Sequence, residues 1–425
     1  MDSEYIGPML KLLAERSRAS EDIVASFRPP HAGIVEQVGA NRHQIVHGRR
    51  GVGKSMLLLS LVAEAKVDRI PIVYVDLERY RDTPYPDVLI RLLNEVTLEL
   101  SEAIAALSLP SRLRLRKLRK ELLALETRLA NLINEPQQRS VVMTESESDE
   151  TDQSHSASLT TSASCKGQGA NLSGERKKLS RFTQTNESTS EFRESKMQGL
   201  HREASIYGDL LGRAVGALGG DHAILVLDDF YFVPREFQPD VLAYLHQVLK
   251  GRRVWLKIGG VEHRLVSFRE GDPPTGLQPY HDAGVTKLDA TLRDYSNTKL
   301  FLEGILAGIG QEIGVQLSEI ATETGRERLV LASGGVPRDY INIAAAALQH
   351  STVRDDKPNR PANKINAEDV SYVAPDFLKQ KEEDLGLDAD SDDAERLRRQ
   401  FDDLVAFCVH DKKKEYVPRR GNASS

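Results

Sequence analysis

The chain has 425 residues, with 57 Lys and Arg against 63 Asp and Glu and a formal net charge of −6. It is therefore not a protein that holds nucleic acid through an overall positive field, and any basic surface must be local. With 40% hydrophobic and 28% charged residues, the composition is that of a globular chain of two or three folding units and excludes collagen-like, mucin-like and membrane character. No long apolar run follows Asp2 and Glu4, so neither a signal peptide nor a membrane span is expected and a cytoplasmic setting fits. Cys165 and Cys408 stand outside any metal-ligand spacing and read as ordinary reduced thiols.

Residues 1–27 read as a helical N-terminal segment. From 28 to about 100 the pattern is that of the first part of an α/β core. A short β-type run at 44–47 enters a glycine-rich turn and an apolar helix at 56–62. A second strand at 70–76 follows; then, after Pro84 and Pro86, comes a helix with apolar positions at Val88, Leu89, Leu92, Leu93 and Val96. This βαβα order predicts a parallel sheet.

Between 101 and 140, Leu115, Leu118, Leu122, Leu125, Leu129 and Leu132 recur at alternating steps of three and four. Such a heptad seam has two readings: a projecting coiled-coil arm that docks a protein partner through 109–135, or a helix packed on its own domain. Residues 141–200, rich in Ser, Thr, Glu and Lys, are too polar to offset their ordering entropy, and a disordered low-complexity insertion is expected there.

The second part of the core spans 201–290. A helix ends near Gly219 and Gly220, and the run 223–227 closes on Asp228 and Asp229. Its continuous apolarity is that of a central strand buried on both faces. A helix through Val241, Leu242, Leu245 and Leu249, a strand at 254–258 and a fifth strand at 285–288 complete the sheet. Residues 291–373 read as a separate helical lid, and 374–425 as a charged tail. That tail has acids at 388–393, a helix near 394–409 and a basic end at Lys412, Lys413, Lys414, Arg419 and Arg420.

The run Gly48-Arg49-Arg50-Gly51-Val52-Gly53-Lys54-Ser55, followed by Met56, fits the phosphate-loop pattern between a strand and a helix. Each position has a task. Gly51 and Gly53 free the backbone to wrap round a polyphosphate, and the helix that follows puts its positive end on the same anion. Lys54 bridges the terminal phosphates, and the Ser55 hydroxyl takes a position on Mg²⁺. Asp228 supplies the other hold on Mg²⁺, and Asp229 polarises the attacking water, unless it merely caps the strand end. An aspartate is a short base for that work, which implies slow turnover. Gly334-Gly335-Val336-Pro337-Arg338 sets an arginine in the first turn of a lid helix, where it can reach a terminal phosphate.

At these residues the chain resembles AAA+ ATPases of the origin-recognition and cell-division-control initiator type. GRRGVGKS at 48–55, ILVLDD at 224–229 and GGVPR at 334–338 stand in that family's order, over about 28–350 less the inserted tract. The resemblance implies a P-loop NTPase fold with a helical lid, ATP and Mg²⁺ as cofactors, assembly with further copies of the chain, and DNA as a partner. It also makes Arg338 the sensor-two arginine and places 257–262 at sensor one, where Lys-Ile-Gly-Gly-Val-Glu departs from the usual Asn, Thr or Ser. Arg264 and Arg269 are candidate arginine fingers. Asp229, where initiators commonly carry Glu, is similar instead to the STAND class of signalling NTPases, which switch by nucleotide exchange. The reading is thus a regulatory Mg-ATPase coupled to partner or DNA engagement, with a STAND-like switch or an ATP-stabilised scaffold as the alternative.

Overall fold

The computed structural model describes residues 1–135, 138–145, 188–353, 363–388, 399–403 and 406–407. Helices α1 (Ser3–Arg16) and α2 (Ile34–Gly39) lead into β1 (His43–His47), which is buried at every position. The glycine turn releases α3 (Lys54–Val67), and β2 (Ile72–Asp76) follows. α4 (Asp87–Ala105) buries the whole predicted stripe from Val88 to Val96, and α5 (Leu109–Arg114) turns the chain into α6 (Arg116–Asn134).

β3 (Gln138–Glu145) and β4 (Ser188–Ser195) then pair antiparallel, with Gln138 opposite Ser195 and Glu145 opposite Ser188. Ser195 and Gln198 form a capping box that starts α7 (Lys196–Ala217), satisfying two backbone amides at the helix entry. β5 (Ala223–Asp228), α8 (Gln238–Leu249) and β6 (Val254–Gly260) come next. The two-residue strands β7 (Phe268–Arg269) and β8 (Thr275–Gly276) precede β9 (Ala283–Lys287). The rest is helical: α9 (Tyr295–Gln311), α10 (Leu317–Ile320), α11 (Glu323–Ser333), α12 (Pro337–Val353) and α13 (Ala367–Asp388).

The chain divides into two compact units. The first holds Val38–Val46 and Val62–Thr286 and is built on a five-stranded parallel sheet in the order β2-β5-β6-β1-β9. β5 is buried along its whole length between β2 and β6, which is why its sequence is continuously apolar. Flanking helices α4, α6, α7 and α8 close one hydrophobic core around the sheet.

The heptad leucines belong to that core. Leu118, Leu122, Leu125 and Leu129 are buried in α6, with Leu115 and Leu132 packed against the same cluster. Burying a leucine is worth about 1.5–3 kcal/mol, so a seam already seated in its own unit has nothing to gain from a partner helix. The leucine face is therefore not a projecting coiled-coil arm, and a partner at 109–135 would have to meet another face. The disorder expected over 141–200 does not hold at its two ends, where 141–145 also lie in a strand. Residues 188–195 form a strand and 196–198 open a helix, while 146–187 lie outside the described residues.

The second unit gathers Met1–Gln37, His47–Leu61 and the chain from Lys287 onward. Met9 and Leu13 of α1 pack with Leu302, Leu306, Leu329, Tyr340 and Leu348 of the C-terminal helices. The phosphate-loop segment thus belongs to the same compact unit as the predicted lid helices. The expected tail helix near 394–409 lies largely, and the basic end and both cysteines wholly, outside the described residues.

Lys257 is fully buried in β6, where its ammonium donates to Ala40 O at 2.7 Å and Arg42 O at 2.9 Å. Burial, and then the Arg42 charge, bring its pKa down to about 7. Nearby, the Leu256 amide donates to His43 Nδ1 at 3.0 Å. Burial, then His246 and Lys257, lower His43 to about 4. Above pH 7 the folded chain sheds the Lys257 proton while the unfolded chain keeps it up to the ordinary lysine range, so stability rises with pH across that window. Urea unfolding from about pH 6.5 to about pH 9 should show this rise, and Lys257→Met should flatten it; an equal rise in the variant would contradict the assignment.

Candidate functional site

The loop at 48–55 is shaped by three glycines. A Cβ on Gly48 would lie 2.6 Å from Val52 Cγ2, and Gly51 and Gly53 adopt φ of +80° and +99°, where an L side chain is strained. The Leu57 amide donates to Gly53 O at 2.9 Å, so α3 starts where the loop ends. Lys54 is buried, its ammonium donating to Gly48 O at 3.0 Å and Arg49 O at 3.1 Å. Val52 is buried, Ser55 and Met56 are half-buried in the first turn of α3, and Arg50 is exposed. A cradle that rejects Cβ atoms, the amino end of a 14-residue helix and a lysine whose ammonium is held over the loop backbone together fit a polyphosphate anion.

The turn at 334–337 belongs to the same unit. Pro337 opens α12, as its fixed φ and missing amide favour, and Arg338 follows in the first turn. The Arg338 amide donates to Gly51 O at 3.2 Å, and a Cβ on Gly51 would come within 2.8 Å of Arg338 Cβ. The guanidinium of Arg338 is exposed and meets no carboxylate among the described residues. Arg49 turns away from the loop centre: its side chain bonds Asp289, Ala290 and Gly334.

The acidic strand end lies in the sheet unit. Asp228 is 2% exposed; its Oδ1 accepts from the Asp229 amide at 2.9 Å and its Oδ2 from the Tyr74 hydroxyl at 2.7 Å. Burial and the adjacent Asp228 hold the Tyr74 hydroxyl well above its ordinary pKa, so it stays a donor. Asp229 takes a left-handed conformation, φ 49° and ψ 42°, which turns it out of the strand path. Its carboxylate and those of Asp76 and Glu78 have oxygens within 4.8 Å of one another, a hard oxygen set of the kind Mg²⁺ prefers.

Asp76 and Glu78 are absent from the residues chosen on sequence. The signal was present, because β2 and β5 both end in aspartate and the parallel register sets Asp76 opposite Asp228. Only strand pairing reveals that coincidence.

Of the candidate arginine fingers, Arg269 is held within its own chain by Asp240 Oδ1 at 2.9 Å and Glu236 O at 2.9 Å. Arg264 lies over the Tyr231 ring at 4.8 Å. Lys257, at the sensor-one segment, is committed to the backbone before β1 as described above.

Comparison with known proteins bears on the whole. No curated protein matches the chain. Among solved structures, the Orc1 protein of Aeropyrum pernix, determined in complex with DNA, is similar at 14% identity and a TM-score of 0.39, over 86% of this chain and 70% of that one. A family model described as ORC-CDC6-like matches residues 14–316. With the phosphate-loop turn, the parallel sheet and a match over well more than half its length, the chain belongs to the ORC-CDC6-like family of AAA+ ATPases.

Proposed function

We propose that the chain binds Mg²⁺-ATP at residues 48–55 and hydrolyses it slowly, as a regulatory switch. The observation that carries this reading is the loop itself: two glycines at positive φ, a helix that begins at Lys54, and that lysine held over the loop backbone. Lys54 would neutralise the terminal phosphates as a point charge. Ser55 and Asp228 are the proposed metal ligands, with Asp76 and Glu78 adding oxygen to the same acidic edge. The bound metal would supply charge neutralisation for phosphoryl transfer.

Asp229 is the proposed base that orients water. Its side chain is shorter than glutamate, which favours slow turnover. Arg338, carrying no partner carboxylate among the described residues, would stabilise charge on the terminal phosphate. Closure of the lid turn on the loop would then report nucleotide state to a partner. Family membership supports a second copy of the chain or DNA as that partner, with the protein working in the cytoplasm. No helix of the described residues is long and apolar enough to cross a membrane. The aspartate at 229 also supports a second reading, a STAND-like switch or ATP-stabilised scaffold with little turnover. Nucleotide that copurifies tightly and is not hydrolysed would distinguish it.

Two substitutions separate binding from chemistry. Lys54→Ala should weaken ATP binding by about 10–100-fold, the loss of charge-assisted bonds to phosphate. Fluorescent-nucleotide titration measures this, and unchanged affinity would refute the site. Asp229→Asn should leave affinity within about threefold and lower turnover by about 100-fold. If phosphate release by Asp229→Asn equals that of the wild type, Asp229 is not the base.

A further inference from the structure

Arg49 occupies a loop position that the phosphate-loop pattern leaves unspecified, yet it bonds three residues outside the loop. Its amide and its Nε both donate to Asp289 Oδ1, at 3.0 and 3.2 Å. Its Nη2 donates to Ala290 O at 3.0 Å and to Gly334 O at 3.3 Å. Asp289 and Ala290 immediately precede the lid helices, and Gly334 is the left-handed cap that ends α11, four residues before Arg338. One side chain from the phosphate loop thus ties the start of the helical segment to the turn just before Arg338.

The ion pair alone would contribute little. The Arg49 side chain is 47% exposed, and a pair so exposed is largely screened by water. What distinguishes the arrangement is convergence: a carboxylate and two carbonyls all accept from one planar fork, a geometry lysine cannot copy, while the Arg49 amide donates to the same carboxylate. A second contact runs parallel to it, where the Arg338 amide donates to Gly51 O and the Gly51 backbone abuts the stem of Arg338. Gly335, buried and at φ +84°, is packed so that a Cβ would lie 2.7 Å from Ala290 O. The turn that carries Arg338 is therefore wedged against the very residues Arg49 holds.

We propose that Arg49 is a positioning residue that latches the phosphate loop to the lid turn, so that loop conformation and the placement of Arg338 change together. This rests on the ATPase reading for its catalytic consequence, although the latch itself does not. Arg49 touches no phosphate in this assignment. It acts through Asp289, Ala290 and Gly334 on where Arg338 stands.

The experiment uses the full chain and its Arg49→Ala, Arg49→Lys, Arg338→Ala and Arg49→Ala/Arg338→Ala variants. Without nucleotide, hydrogen exchange of the 334–340 amides should quicken about tenfold in Arg49→Ala, since the Arg338 amide loses its support; unchanged exchange overturns the latch. In steady-state hydrolysis, Arg49→Ala should lower kcat about tenfold with KM within about threefold, and in the Arg338→Ala background the same substitution should lower it no further. Arg49→Lys, which can keep the charge but not the fork, should recover less than half of the lost kcat. A loss confined to KM would show that Arg49 binds phosphate directly, and multiplying effects of the two substitutions would show independence; either overturns the proposal. A wild-type chain with no turnover refutes the ATPase reading and the catalytic consequence, while the exchange result still decides the latch.

Discussion

Between the last residue of β1 and the first of α3, the backbone must turn through residues 48–53 and deliver the start of a helix. Only glycine meets the two positive φ values that this turn imposes at 51 and 53. Everything proposed for the molecule depends on that constraint. It sets the curvature on which Lys54 lies, places Ser55 in the first helical turn, and leaves Gly51 bare enough for the Arg338 stem to approach.

The sheet supplies the complementary chemistry by simple register. Parallel strands start and stop in step, so two that both end in aspartate concentrate negative charge at one end. Such a concentration is tolerable only with donors nearby. Tyr74 and the Asp229 amide satisfy the buried Asp228, while Asp229, bent into a left-handed conformation, joins Asp76 and Glu78 nearer solvent. In the proposed function this division lets one aspartate stay rigid while the other works on water.

How much of this could be read in advance varied with how local the signal was. The loop, β1 and β5 were legible because a glycine pattern and a continuous apolar run each mean one thing. The leucines of α6 were ambiguous in principle, since steps of three and four describe both a coiled-coil seam and any helix buried along one stripe. The β3–β4 pairing was missed because 188–195, Ser-Thr-Ser-Glu-Phe-Arg-Glu-Ser, carries no apolar alternation and depends on a partner about fifty residues away in sequence. Asp76 and Glu78 escaped notice for the same reason, as cross-strand register is not written in either strand alone. Arg49 lies inside the phosphate-loop motif, but a long side chain can turn to either side of a loop, and here it turns to Asp289, Ala290 and Gly334.

In the proposed function the glycine loop holds a metal-bound triphosphate, and Asp228 is a proposed ligand of that metal. The most direct test is calorimetric titration of ATP into the wild type and Asp228→Asn, each with and without Mg²⁺. Mg²⁺ should strengthen binding to the wild type by about tenfold or more, one charge-assisted ligand's worth, and Asp228→Asn should lose most of that gain while still binding metal-free ATP. Equal metal dependence in both proteins, or no binding by the wild type, would contradict this proposal.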